Sequence, residues 1–250
     1  MKSSWFMRPV HYEFCKKIRE ATGYGLSPQE GIREFLHMAY LSLSNRCNQL
    51  RGRGLDQDKE ERYTRAAKKL ENPEAMAHAL AILLSDFQNH GATDFLGDVH
   101  AALGTLSPDA GQFFTPFELC KVMAEITTPD KPKPGERLAF YEPCVGGGAI
   151  PIATHTALLE RGFAPWEYYF VVGDVDRKCF EMAYVQLTLA GIPAFIEHAN
   201  ALSLEKWDED ITIGLALWPH IPKREPVGTK KKIKVVKKIE GVDARTPRER

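Results

Sequence analysis

The sequence predicts an α/β fold in which a parallel sheet, short of strands, is flanked by helices and preceded by an α-helical N-terminal region. Three observations carry this expectation. Up to about residue 105, apolar residues recur at helical spacing behind helix-start signals. From about 117 onward, short apolar strands alternate with helix-length segments, the order that builds a parallel sheet. One of those strands runs into three consecutive glycines, Gly146-Gly147-Gly148.

Taken in order, Ser27-Pro28-Gln29-Glu30 is a capping box with proline at the first helical position. Ile32, Phe35, Leu36, Ala39 and Tyr40 follow at helical spacing, so a helix is expected over about 28 to 46. The polar, glycine-punctuated stretch RGRGLDQDKEE links it to a charged helix near 58 to 71. Asn72-Pro73 is expected to cap the next helix, whose Ala75, Ala79, Leu80, Leu83 and Phe87 form a stripe, and GATDFLGDVHAAL starts one more short helix. PFELCKVMAEI is an amphipathic helix and TTPDKPKPGE a Pro- and Lys-rich loop. RLAFYEP is a strand, expected at the centre of the sheet. A helix over about 149 to 161, the strand YYFVVGDVD, a helix over about 177 to 190, and the strands AFIEH and ITIGLAL complete the pattern, with IKVVKKI a candidate edge strand. The expected divisions are a helical domain at 1–108, an α/β domain at 109–222 and a basic tail at 223–250.

The composition narrows the function. With 250 residues, 44% of them hydrophobic, the chain can bury a full core. No apolar run approaches the ~20 residues of a membrane span, and the N-terminus lacks the apolar core of a signal peptide. A cytoplasmic protein is expected, with no membrane partner. The five cysteines are scattered without CxxC pairs, so neither a disulfide framework nor a metal site is expected. The net charge of zero hides an asymmetry: residues 221–250 hold 11 Lys and Arg against 4 Asp and Glu, while 1–220 hold 22 against 29. Lys230, Lys231, Lys232, Lys234, Lys237 and Lys238 are therefore candidate contacts to an anionic polymer such as DNA, the alternative being a solvated tail.

A strand entering a glycine loop lets backbone pass close to a ligand, and the next helix presents its first N–H groups there. Asp174 ends the following strand, where a carboxylate can accept hydrogen bonds from both ribose hydroxyls of a nucleoside. The chain has no GxxxxGK[ST], which disfavours a phosphate-cradling NTPase loop. Cys144 reads as a small core residue, because no His lies near it in sequence to activate a nucleophile.

The stretch DFLGDVHAALGTLSPDAGQFFTPFELCKVMAEI resembles the segment leading into the catalytic domain of the modification subunits of type I restriction-modification systems, which are adenine-specific DNA methyltransferases. The resemblance covers roughly residues 73 to 220. It implies a Rossmann-like, S-adenosylmethionine-dependent methyltransferase sheet, DNA as substrate, and restriction-modification subunits or further copies of the chain as partners. It also implies a cofactor site. Phe113, Phe114, Thr115 and Pro116 match the family's turn at the methionine end of S-adenosylmethionine. Glu142-Pro143-Cys144-Val145-Gly146-Gly147-Gly148 matches its D-P-x-x-G-x-G loop, with Glu for Asp. Asp174 falls on the ribose-binding acid, and Asn200 stands near the acid that contacts the cofactor's adenine.

The catalytic position departs from the family. Methylating adenine's exocyclic amine requires hydrogen-bond acceptors that localise its lone pair and a ring that stacks on the flipped base, supplied in the family by Asn or Asp, Pro-Pro, and Tyr or Phe. Leu217-Trp218-Pro219-His220 stands there instead, and Leu217 accepts no hydrogen bond. Three functions remain open: a degenerate relative that binds S-adenosylmethionine and serves as component, regulator or decoy in restriction-modification; an active methyltransferase completed by a partner subunit; and a non-enzymatic DNA-associated protein using its basic tail.

Overall fold

The computed structural model of the protein describes residues 7–104, 114–130 and 137–222. The described residues up to Pro219 form one compact unit, and His220 starts a second. Five helices come first: α1 (Pro9–Thr22), α2 (Pro28–Leu50), α3 (Gln57–Ala67), α4 (Glu74–His90) and α5 (Phe95–Leu103). The capping box forms as expected at α2, where Ser27 Oγ accepts from the Glu30 N–H and the Glu30 carboxylate accepts from the Ser27 N–H. Asp56 and Asp94 cap α3 and α5 in the same way, each accepting the N–H three residues on. At α4, Pro73 rather than Asn72 takes the capping position, without a side-chain cap.

The α/β part continues with α6 (Phe117–Thr127), β1 (Leu138–Glu142), α7 (Ala149–Glu160), β2 (Tyr168–Asp174), α8 (Arg177–Leu189), β3 (Ala194–Ala199), β4 (Lys206–Ile211) and the one-turn α9 (Ile213–Ala216). Strand order is β1-β2-β3-β4. The first three strands are parallel, with Phe140 beside Phe170 and Phe170 beside Ala194. Their inward face, Tyr168, Phe170, Val172, Ala194 and Ile196, is buried in a core that also holds Phe180, Met182, Tyr184, Val185 and Leu187 of α8. Helix α8 lies between this face and α2. It is therefore buried nearly all round, and its buried Glu181 and Gln186 are hydrogen-bonded. Aromatic edges tie the layers: Tyr40 of α2 meets Phe180 at 5.3 Å and Tyr184 at 5.1 Å. One core runs from Phe14 of α1 to Ile196 of β3.

Three expectations are corrected. The sheet is mixed, because β4 pairs antiparallel to β3. ITIGLAL is not a strand: pairing ends at Ile211, and Thr212 caps a helical turn through its Oγ1. Thr212 Oγ1 also donates to the Ile192 carbonyl at 2.6 Å and accepts the Ala194 N–H at 2.9 Å, which pins this turn under the amino end of β3. Strand β1 is an edge strand rather than the central one, since no described segment pairs with its other side. Ala139 and Tyr141 project from the face opposite Phe140 and are exposed. The candidate strand IKVVKKI lies outside the described residues. On α6, Cys120 and Ala124 face α7, while Leu119, Val122, Met123 and Ile126 are exposed. The architecture is an incomplete Rossmann-like α/β sheet preceded by helices.

Candidate cofactor site

The site begins where β1 ends. Val145 N–H donates to the Gly173 carbonyl at 2.9 Å, tying the loop to the end of β2. Gly146 and Gly148 take φ values of +55° and +100°, in the left-handed region that a side chain disfavours. Gly146 N–H donates to Asp174 Oδ2, and Asp176 N–H donates to Asp174 Oδ1, both at 2.9 Å. A carboxylate offers about four lone-pair positions, so Asp174 keeps acceptor capacity for two hydroxyls. Burial raises its pKa, and the backbone N–H groups of Asp176, Gly146 and Val175 pull it back down.

The Phe114 ring covers Gly146, where a Cβ would lie 3.3 Å from the ring edge. Beneath Phe114, at 6.5 Å between ring centroids, sits the buried His100, whose pKa burial lowers to about 4, so it is a neutral imidazole at pH 7. Pro116 opens α6, and the Thr115 carbonyl accepts a weak bond from Cys120 Sγ. The turn at 114–116, the glycine loop and Asp174 thus converge, as the sequence motifs predict. A site for S-adenosylmethionine fits these residues: a backbone loop free of Cβ atoms, an uncapped helix start at α7, and an acid at the adjacent strand end.

Other candidates fall elsewhere. Glu142 folds its carboxylate onto the Cys144 N–H at 3.0 Å. Asn200 Oδ1 is committed to the N–H groups of Leu202 and Ser203, so only its NH₂ is left for a ligand. Cys144 is exposed, not a core residue, because the chain turns outward between strand and loop. Burial and then the Asp174 and Glu142 charges raise its thiol pKa, which disfavours a thiolate. Phe113 and the six tail lysines lie outside the described residues.

Leu217, Trp218 and Pro219 are not brought to this loop. The Trp218 ring lies 4.7 Å from the Arg137 guanidinium, directly before β1, and 6.5 Å from Tyr169 near the start of β2. That is the amino end of the strands. The glycine loop is at the carboxyl end, roughly 15 Å away at ~3.3 Å per strand residue. His220 belongs to the second unit.

Two residues to which the sequence assigns no role in the site, Gln186 and Asp94, complete it from below. Gln186 of α8 donates from Nε2 to the Gly147 carbonyl at 2.7 Å and to Asp94 Oδ1 at 2.9 Å, and its Oε1 accepts the Leu96 N–H at 3.0 Å. Among the described residues no group of His, Cys, Asp and Glu is placed to hold a metal ion, and no helix is long and apolar enough to cross a membrane.

A strand, a glycine loop, a helix and an acid at the next strand end are the elements from which Rossmann-like folds build a nucleoside site. The model of the N-6 DNA methylase family matches residues 93–217, and the chain belongs to that family. Among solved structures, it is similar to the methyltransferase subunit of a type I restriction-modification system from Streptococcus thermophilus, at 11% identity and a TM-score of 0.39, over 80% of this chain and 59% of that one. It is also similar to a protein from Listeria monocytogenes assigned as a class I S-adenosylmethionine-dependent methyltransferase, at 14% identity and a TM-score of 0.33, over 77% and 55%. The chain thus spans less than two thirds of the length of either structure. A search of curated proteins gives no match.

Proposed function

We propose that the chain binds S-adenosylmethionine at its glycine loop and does not itself methylate adenine, serving as a component or regulator of DNA restriction-modification. One observation carries this reading: Phe114 and Asp174 both close on Gly146, while Leu217 and Trp218 stand at the opposite end of the strands. The Asp174 carboxylate would hold the ribose hydroxyls, and the turn at 114–116 would hold the amino-acid end. When bound, the cofactor supplies an electrophilic sulfonium methyl. Partners of this reading are DNA and restriction-modification subunits or a second copy of the chain, and its compartment is the cytoplasm.

Calorimetry tests the site. S-adenosylmethionine is expected to bind the purified chain, and Asp174→Ala to weaken it by about 1–3 kcal/mol, the cost of leaving buried polar groups unpaired. Equal affinity in the variant would remove Asp174 from the site; no binding by the wild type would overturn the reading.

The tail is a second proposal. Lys230, Lys231, Lys232, Lys234, Lys237 and Lys238 would contact phosphates without sequence preference. Counterion release then makes DNA affinity fall steeply with salt, and deleting 228–250 is expected to flatten that slope. Full, salt-sensitive binding by the truncated chain would refute it.

A further inference from the structure

We infer that Gln186 is a positioning residue for the glycine loop, and that through Asp94 it makes the loop's shape depend on how α5 is seated. The inference rests on the cofactor reading above for its functional meaning, and on geometry for the rest. Gln186 is fully buried, and its one amide serves three backbone or side-chain groups from different parts of the chain. Both its N–H groups are used: one holds the Gly147 carbonyl inward and the other holds Asp94, the residue that caps α5 by accepting the Gly97 N–H.

The carbonyl it holds is in the middle of the loop, between Gly146 and Gly148. Three glycines in a row have more accessible conformations than any other tripeptide, so a loop of this kind is preorganised only if something outside it fixes a peptide plane. Gly146 is fixed from above by Asp174 and Phe114. From beneath, Gln186 is the side chain that bonds Gly147. Packing reinforces the bond: a Cβ at Gly147 would lie 2.9 Å from both Asp94 Oδ1 and Met182 Cε, so the loop is seated against Asp94, which Gln186 also holds. Asp94 stands 92 residues before Gln186 in sequence, and His100 of α5 meets the Phe114 ring at 6.5 Å. A shift of α5 therefore reaches the loop by two routes, through Gln186 below and through the turn above.

The test compares three full-length variants with the wild type by S-adenosylmethionine calorimetry and by amide hydrogen exchange. Gln186→Met keeps the volume and removes every polar contact; it is expected to lower affinity about tenfold or more, the equivalent of one hydrogen bond of ordinary strength. The amides of residues 146–149 are expected to exchange about tenfold faster relative to those of α8. Gln186→Asn leaves a polar group too short to serve Asp94 and Gly147 together, and moves both readings the same way should the methionine variant fail to fold. Asp94→Ala removes the acceptor that Gln186 and the start of α5 share, and is expected to lower affinity and speed the 146–149 amides in the same direction as Gln186→Met. If loop and α8 amides speed up by the same factor, Gln186 only stabilises the fold and the inference fails. If the wild type binds no S-adenosylmethionine, the cofactor reading fails, and the exchange ratio alone decides the role of Gln186.

Discussion

Incubating the purified chain with labelled S-adenosylmethionine and mixed-sequence DNA is expected to give no methyladenine above background. The exocyclic amine of adenine is a poor nucleophile because its lone pair is shared with the ring, and a positioned acceptor is what localises it. Losing such a group typically costs ~100- to 10,000-fold in rate. The residue that the resemblance aligns with that acceptor is Leu217, whose side chain has none. Its neighbour Trp218 is engaged by Arg137 and Tyr169 at the amino end of the strands, away from the loop that would present the methyl group. Adding a restriction-modification subunit is expected to restore transfer only if that subunit inserts an acceptor of its own. Clear methyladenine product from the chain alone would show that it is an active methyltransferase.

Asp210→Ala is expected to destabilise the protein by about 3 kcal/mol in urea unfolding. Asp210 Oδ2 accepts from Lys59 Nζ at 2.8 Å, from Tyr40 Oη at 3.4 Å and from Ser44 Oγ, so one carboxylate joins β4 to α2 and α3. The Asp210 side chain is 7% exposed and that of Lys59 is 14% exposed. Removing one partner of a buried ion pair costs about 3–5 kcal/mol because the other charge is stranded, and the partial exposure of Lys59 places this case at the lower end. Asp210→Asn retains an acceptor for the two hydroxyls and is expected to cost less. A loss below about 1 kcal/mol in Asp210→Ala would mean that Lys59 simply swings into water.

What the sequence reveals and what it hides divides along physical lines. The capping box at Ser27, the buried stripe Ile32, Phe35, Leu36, Ala39 and Tyr40, the glycine loop and Asp174 are all local signals, and each is where it is expected. Strand β4 escaped because KWDEDI shows no apolar alternation. Its helix-side residues Asp208 and Asp210 are satisfied by Arg177 and Lys59, so charge pairing does there what apolar packing does in the other strands. ITIGLAL misled for the opposite reason: an apolar run reads as a strand, but Thr212 ends the ladder and starts a helical turn. The central placing of β1 failed with it, since the segment expected to continue the sheet goes to the amino end of β3 instead. The link between Asp94 and Gln186 has no sequence signal at all, because spacing says nothing about residues joined only by the tertiary fold.

The two borders of the sheet differ in how they meet other molecules. Strand β4 carries Lys206, Asp208, Glu209 and Asp210, and a border so rich in charge disfavours an incoming strand. Strand β1 offers Ala139, Phe140 and Tyr141, with no such guard among the described residues. A sheet open at both borders can grow without limit into a ribbon. Among the described residues, β1 is therefore the border at which the sheet can be extended by a further strand.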